Sequence, residues 1–251
     1  MNLRRYVATS DRLPAVVARK LYRAIRNFSV PAPRILVVPA LHIFLLIRDV
    51  YYFVWRVFVC EPLFKAYCTE YGRNLHTGVF IHWVQGKGEI IAGDNVLVDG
   101  KCSFSFAARY TETPTLSIGS HTVISHGCSL TVGRGVSIGE HCLIASGVLI
   151  FDAPGHPRDP VLRKRGEPAN AEDVRLIKIE DNVWIGRDSI IFPGVTIGEG
   201  SIVVTGSLVM SDVPPYTTVA GNPARAISRL SKEQPGERKE NAVVMDNSRR
   251  S

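Results

Sequence analysis

The sequence predicts an all-β fold, a left-handed parallel β-helix of hexapeptide repeats, with a helical segment before it and a disordered tail after it. The main observation is a six-residue period between about residues 92 and 209, with an aliphatic or small residue at each first position. Six is not a helical period, and glycine and proline at this density would break helices. The strictest first positions are Ile179, Ile185, Ile191, Ile197, Val203 and Val209.

The earlier part of the repeat keeps the same period but contains two jumps. Three short strands make one triangular coil of about 18 residues, and stacked coils bury the first-position residues in a continuous core. We interpret the jumps after Phe104 and after Ile124 as short loop insertions, and residues 151–178 as one long insertion. The earlier first positions are Ala92, Val98, Phe104, Ile118, Ile124, Val132, Ile138, Ile144 and Ile150.

Four polar residues occupy the fourth place of a hexad on the same face of the repeat. They are Asn95, His121, His141 and Asn182. Stacked coils would place these side chains in one column at a corner. The sequence therefore predicts structural roles for both histidines.

The remaining composition suggests three regions: a helical region at 1–77, the β-helix domain at 78–230, and a polar tail at 231–251, which we expect to be disordered. The chain carries a net charge of +7. Eight basic residues and one acidic residue fall within the first 34, so this segment accounts for the whole excess. A basic region confined to one end suggests contact with an anionic surface.

Residues 14–60 are predicted to touch a membrane peripherally. A basic helix at 14–28 precedes a very apolar helix at 41–59, and the apolar run before Arg48 looks too short to span a bilayer, with Pro39 inside it. The basic residues are interleaved with aliphatic ones at helical spacing, which favours lipid over nucleic acid. The alternative is that the apolar face packs on the coils or on a neighbouring subunit.

The five cysteines include no CxxC pair, and their number is odd. Neither a disulfide framework nor a zinc knuckle is indicated, so reduced thiols in a cytoplasmic protein are expected. The basic start is not followed by a short apolar run with a small-residue cleavage site, so no signal peptide is predicted.

Several motifs resemble the maltose, galactoside and nodulation-factor O-acetyltransferases over roughly residues 90–230. These motifs are Gly155-His156-Pro157, 162–167 (LRKRGE), 182–186 (NVWIG), 212–215 (DVPP) and 221–225 (GNPAR). The N-terminal region departs from the sugar acetyltransferases and is more similar to acyltransferases of bacterial surface-polysaccharide pathways. A bacterial cytoplasmic protein, at the inner face of the membrane, is therefore expected.

The resemblance implies a homotrimer that binds acetyl-CoA in a groove between subunits, with His156 as general base and no metal. Imidazole titrates near neutrality and suits removal of a hydroxyl proton. A backbone N–H near Gly186 and Arg187 would stabilise the oxyanion. Asp152, four residues before the histidine, is a candidate to orient its ring.

The resemblance also carries over cofactor and acceptor positions. Trp184 matches a groove tryptophan, with simple corner packing as the alternative. Thr205 and Gly206 match small residues beside the pantetheine, and Arg225 matches a basic residue toward the nucleotide phosphate. Ser211 stands where the family often has lysine, which removes a phosphate contact.

Ser125 replaces the family's acceptor-binding asparagine and is followed by His126, while Gly133 replaces an aspartate. A carbohydrate acceptor is implied, but maltose or galactoside is not. The sequence therefore predicts an acetyl-CoA-dependent O-acyltransferase for a sugar hydroxyl of a bacterial polysaccharide or lipid-linked glycan precursor.

Three alternatives stay open. The nucleophile could be an amine or a serine hydroxyl, as in amino-sugar and serine acetyltransferases of this fold. The chain could be a zinc enzyme similar to γ-class carbonic anhydrases, with His82, His121 and His126 as ligands. It could also be a non-catalytic scaffold.

Overall fold

The computed structural model describes residues 3–230, and the tail predicted at 231–251 lies outside them. The chain divides into two compact units, with the division after Val50. The first unit contains helices α1 (Leu3–Thr9) and α2 (Leu13–Asn27), and helix α3 (Arg34–Trp55) crosses the division.

Helices α1 and α2 pack through few contacts. The Arg19 guanidinium of α2 donates to the Val7 carbonyl of α1 at 2.9 Å, and Ala15 is the buried residue of α2. Pro14 lies in the first turn of α2, where its missing N–H costs nothing. Large apolar side chains of α2 are exposed, with Leu13 at 80% and Ile25 at 67%.

Helix α3 runs without a break through Pro39, and none of its residues is buried. A π-helical turn (Arg56–Cys60) and helix α4 (Glu61–Tyr67) continue it. By length and composition, this continuous segment from residue 34 to 67 could cross a membrane. The apolar run before Arg48 is thus part of a longer helix, in which Arg48 is bonded to Asp49, and peripheral membrane contact stays a prediction.

Helix α4 covers the interior of the first coil. Phe64 is 1% exposed and its ring lies 5.8 Å from that of Phe104. The buried Glu61 pairs with Arg56, Lys65 and His76. The first β-strand begins at residue 70, before the predicted boundary at 78, because residues 70–71 already pair with the second coil.

The rest of the second unit is a parallel β-helix of three sheets, and the predicted fold class is confirmed. The first sheet contains β1 (Glu70–Tyr71), β4 (Glu89–Ala92), β7 (Thr115–Ile118), β10 (Gly135–Ile138), β13 (Ile177–Ile179) and β16 (Thr196–Ile197). The second contains β2 (His76–Thr77), β5 (Leu97–Val98), β8 (Val123–Ile124), β11 (Leu143–Ile144), β14 (Trp184–Ile185), β17 (Ile202–Val203), and the closing hairpin β19 (Thr217–Gly221) and β20 (Ala224–Arg229). The third contains β3 (Trp83–Gln85), β6 (Ser103–Phe106), β9 (Ser129–Val132), β12 (Leu149–Phe151), β15 (Ile190–Ile191) and β18 (Leu208–Val209).

The predicted first-position residues fill the interior, as expected for inward strand positions. Ile124, Ile150 and Ile185 are each 0% exposed. One detail of the predicted frame is wrong. Leu130, six residues after Ile124, is the true first position, since it pairs with Phe104 and Ile150.

The three sheets define three corners: the first corner joins sheets one and two, the second joins sheets two and three, and the third joins sheets three and one. The predicted column of asparagines and histidines is confirmed at the first corner. The His121 and His141 rings are stacked, with centroids 4.7 Å apart and planes 2° apart. Both residues, with Asn95 and Asn182, have φ between 54° and 60°. Asparagine tolerates this left-handed conformation better than most residues.

Within the described coils, every insertion longer than one residue falls at the third corner. Two extra residues follow β3, residues 107–114 follow β6, two extra residues follow β9, and residues 152–176 follow β12. The predicted long insertion at 151–178 matches the last of these. The third corner therefore carries all the large loops, and the other two corners stack at regular spacing apart from one extra residue at the second corner of the first coil.

Candidate active site

The second corner brings together most of the residues that the sequence predicts for cofactor and acceptor. A ladder of backbone hydrogen bonds joins successive coils there. The Gly147 N–H donates to the His126 carbonyl at 3.1 Å, and the Gly206 N–H donates to the Arg187 carbonyl at 2.8 Å. Ser125, His126, Arg187, Thr205 and Gly206 thus lie along one edge of the β-helix.

Glycines leave open space along this edge. Gly127 and Gly206 have φ of 75° and 71°, and a Cβ at either position would meet no atom within 4 Å. Glycine is the residue that adopts this conformation without strain. The second corner is therefore open beside Gly127 and beside Gly206, while between them Asp188 lies against Gly147.

The backbone N–H groups of Gly186 and Arg187 differ in whether the β-helix already uses them in a hydrogen bond. The Gly186 N–H donates to the Val203 carbonyl at 2.7 Å, so it is not available to a ligand. A Cβ on Gly186 would lie 2.4 Å from the Thr205 nitrogen, which explains why the coil needs glycine there. Among the described residues, the Arg187 N–H has no acceptor, and it is the better candidate for an oxyanion donor.

Trp184 lies on the outer face of the second sheet and is 51% exposed. It is flanked in register by Leu143 and Ile202. Leu143 is also half exposed, at 52%. The tryptophan belongs to an uncovered apolar column next to the second corner, which is consistent with either a groove wall or a subunit contact.

Ser211 and Arg225 meet at the end of the β-helix. Both line a cavity of about 100 Å³ with Asp212 and Ala224, beneath the hairpin of β19 and β20. Asp212 accepts the Thr196 N–H at 2.7 Å. Arg225 is exposed, and its guanidinium donates to the Ala224 carbonyl at 2.8 Å. The predicted nucleotide-side residues are therefore adjacent in the structure.

His156 lies elsewhere, on the third-corner insertion. Its side chain is exposed, and Pro157 beside it is buried. Helix α5 (Pro160–Lys164) follows, capped by the Asp159 carboxylate, which accepts the Val161 N–H at 2.7 Å. The predicted base and the predicted cofactor residues thus occupy different corners of one chain.

The third-corner loops are tied to one another. The Tyr110 hydroxyl, from the insertion after β6, donates to the Ala169 carbonyl at 3.2 Å. The Arg134 guanidinium donates to the Ala171 carbonyl at 3.0 Å, and Arg158 pairs with Asp173 at 3.2 Å. These contacts give the histidine loop a fixed base.

Asp152 anchors the same platform instead of the histidine. It is fully buried, and its carboxylate accepts the N–H groups of Gly133, Arg134 and Gly135 at 2.5 to 2.7 Å. Burial raises the pKa of Asp152, and the three donated hydrogen bonds oppose that rise. No hydrogen bond or ion pair joins it to His156 in the described chain. The predicted orienting role is therefore replaced by a turn-holding role, for which Gly133 is a partner.

Sequence reasoning missed two residues at the second corner. The Phe80 ring lies 5.7 Å from that of His126, and the Lys101 ammonium lies 4.8 Å from the centroid of Phe80. The first coil has one extra residue at this corner, between Thr77 and Val84, so Phe80 was out of phase with the hexads. This one-residue shift against the hexad period was the signal in the sequence that could have revealed Phe80.

The three histidines of the zinc alternative do not converge. His82 is 5% exposed and packs against Phe64 and Phe104 inside the first coil. His121 lies at the first corner and His126 at the second. Across residues 3–230, no group of three or more potential ligands is arranged around a common point.

The fold and its edge define a hexapeptide-repeat β-helix with an accessible corner and a loop histidine. A sequence model described as "Hexapeptide repeat of succinyl-transferase" matches residues 115–151 and 176–211. A Staphylococcus aureus protein named "Putative acetyltransferase" is 31% identical, over 51% of this chain and 68% of its own length. The chain belongs to the hexapeptide-repeat acetyltransferase family.

Other relatives define how far the similarity extends. Galactoside O-acetyltransferase of Escherichia coli is 34% identical over 55% of this chain and 63% of its own length. The chain spans about half to two thirds of the curated relatives that it matches. A variant of AntD, an N-acyltransferase from Bacillus cereus in complex with dTDP and coenzyme A, superposes with a TM-score of 0.58 at 24% identity, covering 74% of this chain and 96% of AntD. That likeness concerns the fold.

Proposed function

We propose that the protein is a CoA-dependent O-acyltransferase that moves an acetyl group from acetyl-CoA to a sugar hydroxyl of a bacterial polysaccharide or lipid-linked glycan precursor. The observation that carries this proposal is the open second corner with its unpaired Arg187 N–H, in an acetyltransferase-family chain that retains the Gly155-His156-Pro157 loop. The name of the Escherichia coli relative supports an O-acyl transfer to a sugar.

The residues can be given definite roles in this reaction. The His156 imidazole takes the proton of the acceptor hydroxyl while its oxygen attacks the thioester carbonyl. The oxyanion that forms accepts the Arg187 N–H. Collapse of the tetrahedral intermediate breaks the C–S bond, and the imidazolium returns the proton to the CoA thiolate. The products are a sugar ester and free CoA.

The test is CoA release from acetyl-CoA with a panel of sugars, followed by treatment of the product with hydroxylamine. An ester is cleaved and an amide is not, so the assay separates O-transfer from N-transfer. We expect a cleavable product. A stable amide formed only with amino sugars would replace the proposal with the N-acetyltransferase alternative.

We further propose that the active protein is a homotrimer. His156 lies at the third corner and the cofactor residues at the second, so one chain does not bring them together. The outer face of the second sheet is apolar where a neighbour could cover it, with Leu97, Leu143 and Trp184 all at least 36% exposed. In a threefold ring, the loop of one subunit would face the second corner of the next.

Subunit mixing tests this arrangement. One variant is His156→Ala, and the other fills the open corner with Thr205→Trp and Gly206→Asn. Each alone should be inactive. Co-expressed in equal amounts, they should recover about one quarter of wild-type activity, because a quarter of the interfaces combine two intact halves. No recovery, with a monomer seen by light scattering, would contradict the trimer.

We also propose that the chain sits in the bacterial cytoplasm, against the inner face of the cytoplasmic membrane. Helix α3 exposes its apolar residues, and α2 combines exposed Leu13, Leu21 and Ile25 with Arg23 and Arg26. Apolar area together with cations favours an anionic bilayer.

Vesicle flotation tests the membrane contact. The full chain should float with vesicles of anionic phospholipid, and Arg23→Glu with Arg26→Glu should weaken the flotation. Lys87→Glu with Lys178→Glu is the matched control, with the same charge change on the coils. Equal loss in both double variants would mean that only net charge matters, and no flotation of the wild type would overturn the proposal.

A further inference from the structure

The first three coils carry an unusual cluster at the second corner, formed by Phe80, Lys101 and His126. Because the first coil has one extra residue there, its chain bulges outward and leaves Phe80 40% exposed and Ile81 48% exposed. The Phe80 ring contacts the His126 ring at 5.7 Å, and Lys101 lies over it at 4.8 Å. The cluster thus extends the Ser125–His126 edge toward the end of the β-helix that α4 covers.

Lys101 stands in a conformation that disfavours it. Its φ is 60°, while the equivalent places in later coils hold Gly127, Gly147, Asp188 and Gly206. A non-glycine residue in the left-handed region costs of order 1 kcal/mol. Glycine would satisfy the backbone here too, so what lysine adds is its ammonium group.

The charge of Lys101 has no counter-ion among the described residues. Within residues 3–230 no carboxylate lies within 4.0 Å of its ammonium, and its contact is the Phe80 ring. Asp99 of the same corner is engaged, since it accepts the Gly100 N–H at 2.7 Å. An ammonium group is a common ligand for phosphate, and an adjacent imidazole can add a second donor.

The candidate cofactor residues and the cluster around Phe80 lie at opposite ends of the second corner. Arg187, Thr205 and Gly206, the candidate cofactor residues, belong to the last two coils, whereas Phe80 and Lys101 belong to the first two. If acetyl-CoA binds along the last coils, the acceptor binds at the second corner of the first coils, at the end of the β-helix that α4 covers.

We propose that Phe80, Lys101 and His126 recognise a phosphorylated sugar, with its phosphate on the Lys101 ammonium and its sugar ring against Phe80. This assignment rests on the proposed function and specifies its acceptor class. A phosphate on the anomeric carbon is shared by free sugar phosphates and by sugars linked to nucleotides or lipids. A neutral sugar would leave the ammonium without a partner.

The kinetic test compares glucose, glucose 1-phosphate, UDP-glucose and glucuronic acid as acceptors for CoA release. The wild type should show a KM at least about tenfold lower for a phosphorylated form than for glucose, the range of a charge-assisted hydrogen bond. Whichever phosphorylated form has the lower KM indicates whether the acceptor is free or nucleotide-linked. Equal KM for glucose and both phosphorylated sugars, or a preference for glucuronic acid, would overturn the assignment.

The variant Lys101→Gly removes the ammonium while suiting the backbone. Its melting temperature should equal or exceed that of the wild type, since glycine relieves the φ of 60°. The phosphate preference should disappear through a rise in the KM for the phosphorylated form, so that the KM values for the phosphorylated sugar and for glucose become equal. Lys87→Gly, at the third corner, is the matched control and should keep the preference. A preference that survives in Lys101→Gly would contradict the proposal.

A binding measurement keeps this test independent of turnover. Saturation-transfer NMR with glucose and glucose 1-phosphate reports contact whether or not acetyl is transferred. Phosphate-dependent binding that Lys101→Gly abolishes, without any CoA release, would leave the recognition site standing while the proposed function fails. Turnover of glucose and both phosphorylated sugars at equal KM would instead leave the proposed function standing and overturn the phosphate-recognition site.

Discussion

The first and second corners of the β-helix share one backbone design but use it differently. At both, a residue with positive φ donates its N–H to the coil before it, at 2.9 Å for His141 and 3.1 Å for Gly147. At the first corner the side chains of Asn and His fill the column and pack on one another. At the second corner Gly127 and Gly206 leave open space, although Lys101 and Asp188 hold the same conformation with side chains. Identical geometry is therefore structural where side chains stack and available for a ligand where they are missing.

The largest effect on activity should come from His156, the loop histidine proposed to act on a substrate bound at the second corner. His156→Ala is expected to lower the rate of CoA release by about 10² to 10⁴, the usual contribution of a general base. Its melting temperature should not change, because the side chain is exposed. His121→Ala at the first corner is the control and should retain the wild-type rate. An equal loss of rate in both variants would mean that His156 has no catalytic role that His121 lacks.

Acid sensitivity between pH 6.5 and 4 should come in part from the interior. His82 is buried, and burial lowers its pKa from 6.5 to about 4. The unfolded chain then binds the proton more readily between these values, so stability falls as pH drops from about 6.5 to 4, by about 3 kcal/mol.

Denaturant unfolding at pH 7 and pH 4.5 measures this effect. The loss of stability on acidification should shrink in His82→Leu, which has no proton to gain. His141→Leu, at the first corner, should keep the wild-type loss. An unchanged pH dependence in His82→Leu would assign the acid sensitivity to another group.

A side chain placed in the open corner should affect binding more than folding. Gly206→Asn keeps a residue type that tolerates the φ of 71°, while its amide enters the empty space. We expect the KM for acetyl-CoA to rise about tenfold, equivalent to about 1.4 kcal/mol, with little change in melting temperature. The converse variant Asn182→Gly at the first corner should leave the KM unaltered. A normal KM in Gly206→Asn would show that the space is not used.

The smallest effect should come from the stacked rings at the first corner. His141→Asn retains the corner conformation and removes a stack with a 4.7 Å centroid distance. Aromatic pairs contribute about 0.5 to 1.5 kcal/mol, and this exposed pair should lie at the lower end. Urea unfolding should show this loss with activity unchanged. A larger loss, or reduced activity, would mean that the first corner does more than hold the coils.

The six-residue period was sufficient to predict the fold, because inward strand positions at Ile185 or Ile150 admit aliphatic residues and little else. It also predicted the asparagine and histidine column, since Asn95 and His121 share a place in the hexad. The six-residue period failed to predict the structure where the spacing between inward residues departs from six. The extra residue before Val84 hid Phe80, and the four-residue strand β9 made Val132 look like a first position.

The candidate site was predictable only in part, for a physical reason. Gly206, Arg187 and His156 were found by family motifs, but the sequence does not say which N–H groups the ladder already uses. That information separated Gly186 from Arg187. The same applies to Asp152, whose acidic side chain suggested a partner for the histidine, whereas its oxygens are taken by three N–H groups of a turn.

The confinement of long insertions to the third corner has a consequence for how such a chain can vary. The long loops of the third corner leave and return without altering the register of the strands that follow, whereas the first and second corners of the described coils carry at most one extra residue. Segments such as 107–114 and 152–176 are therefore interchangeable units on an invariant scaffold. Exchanging them between relatives would change the surroundings of His156 without redesigning the core.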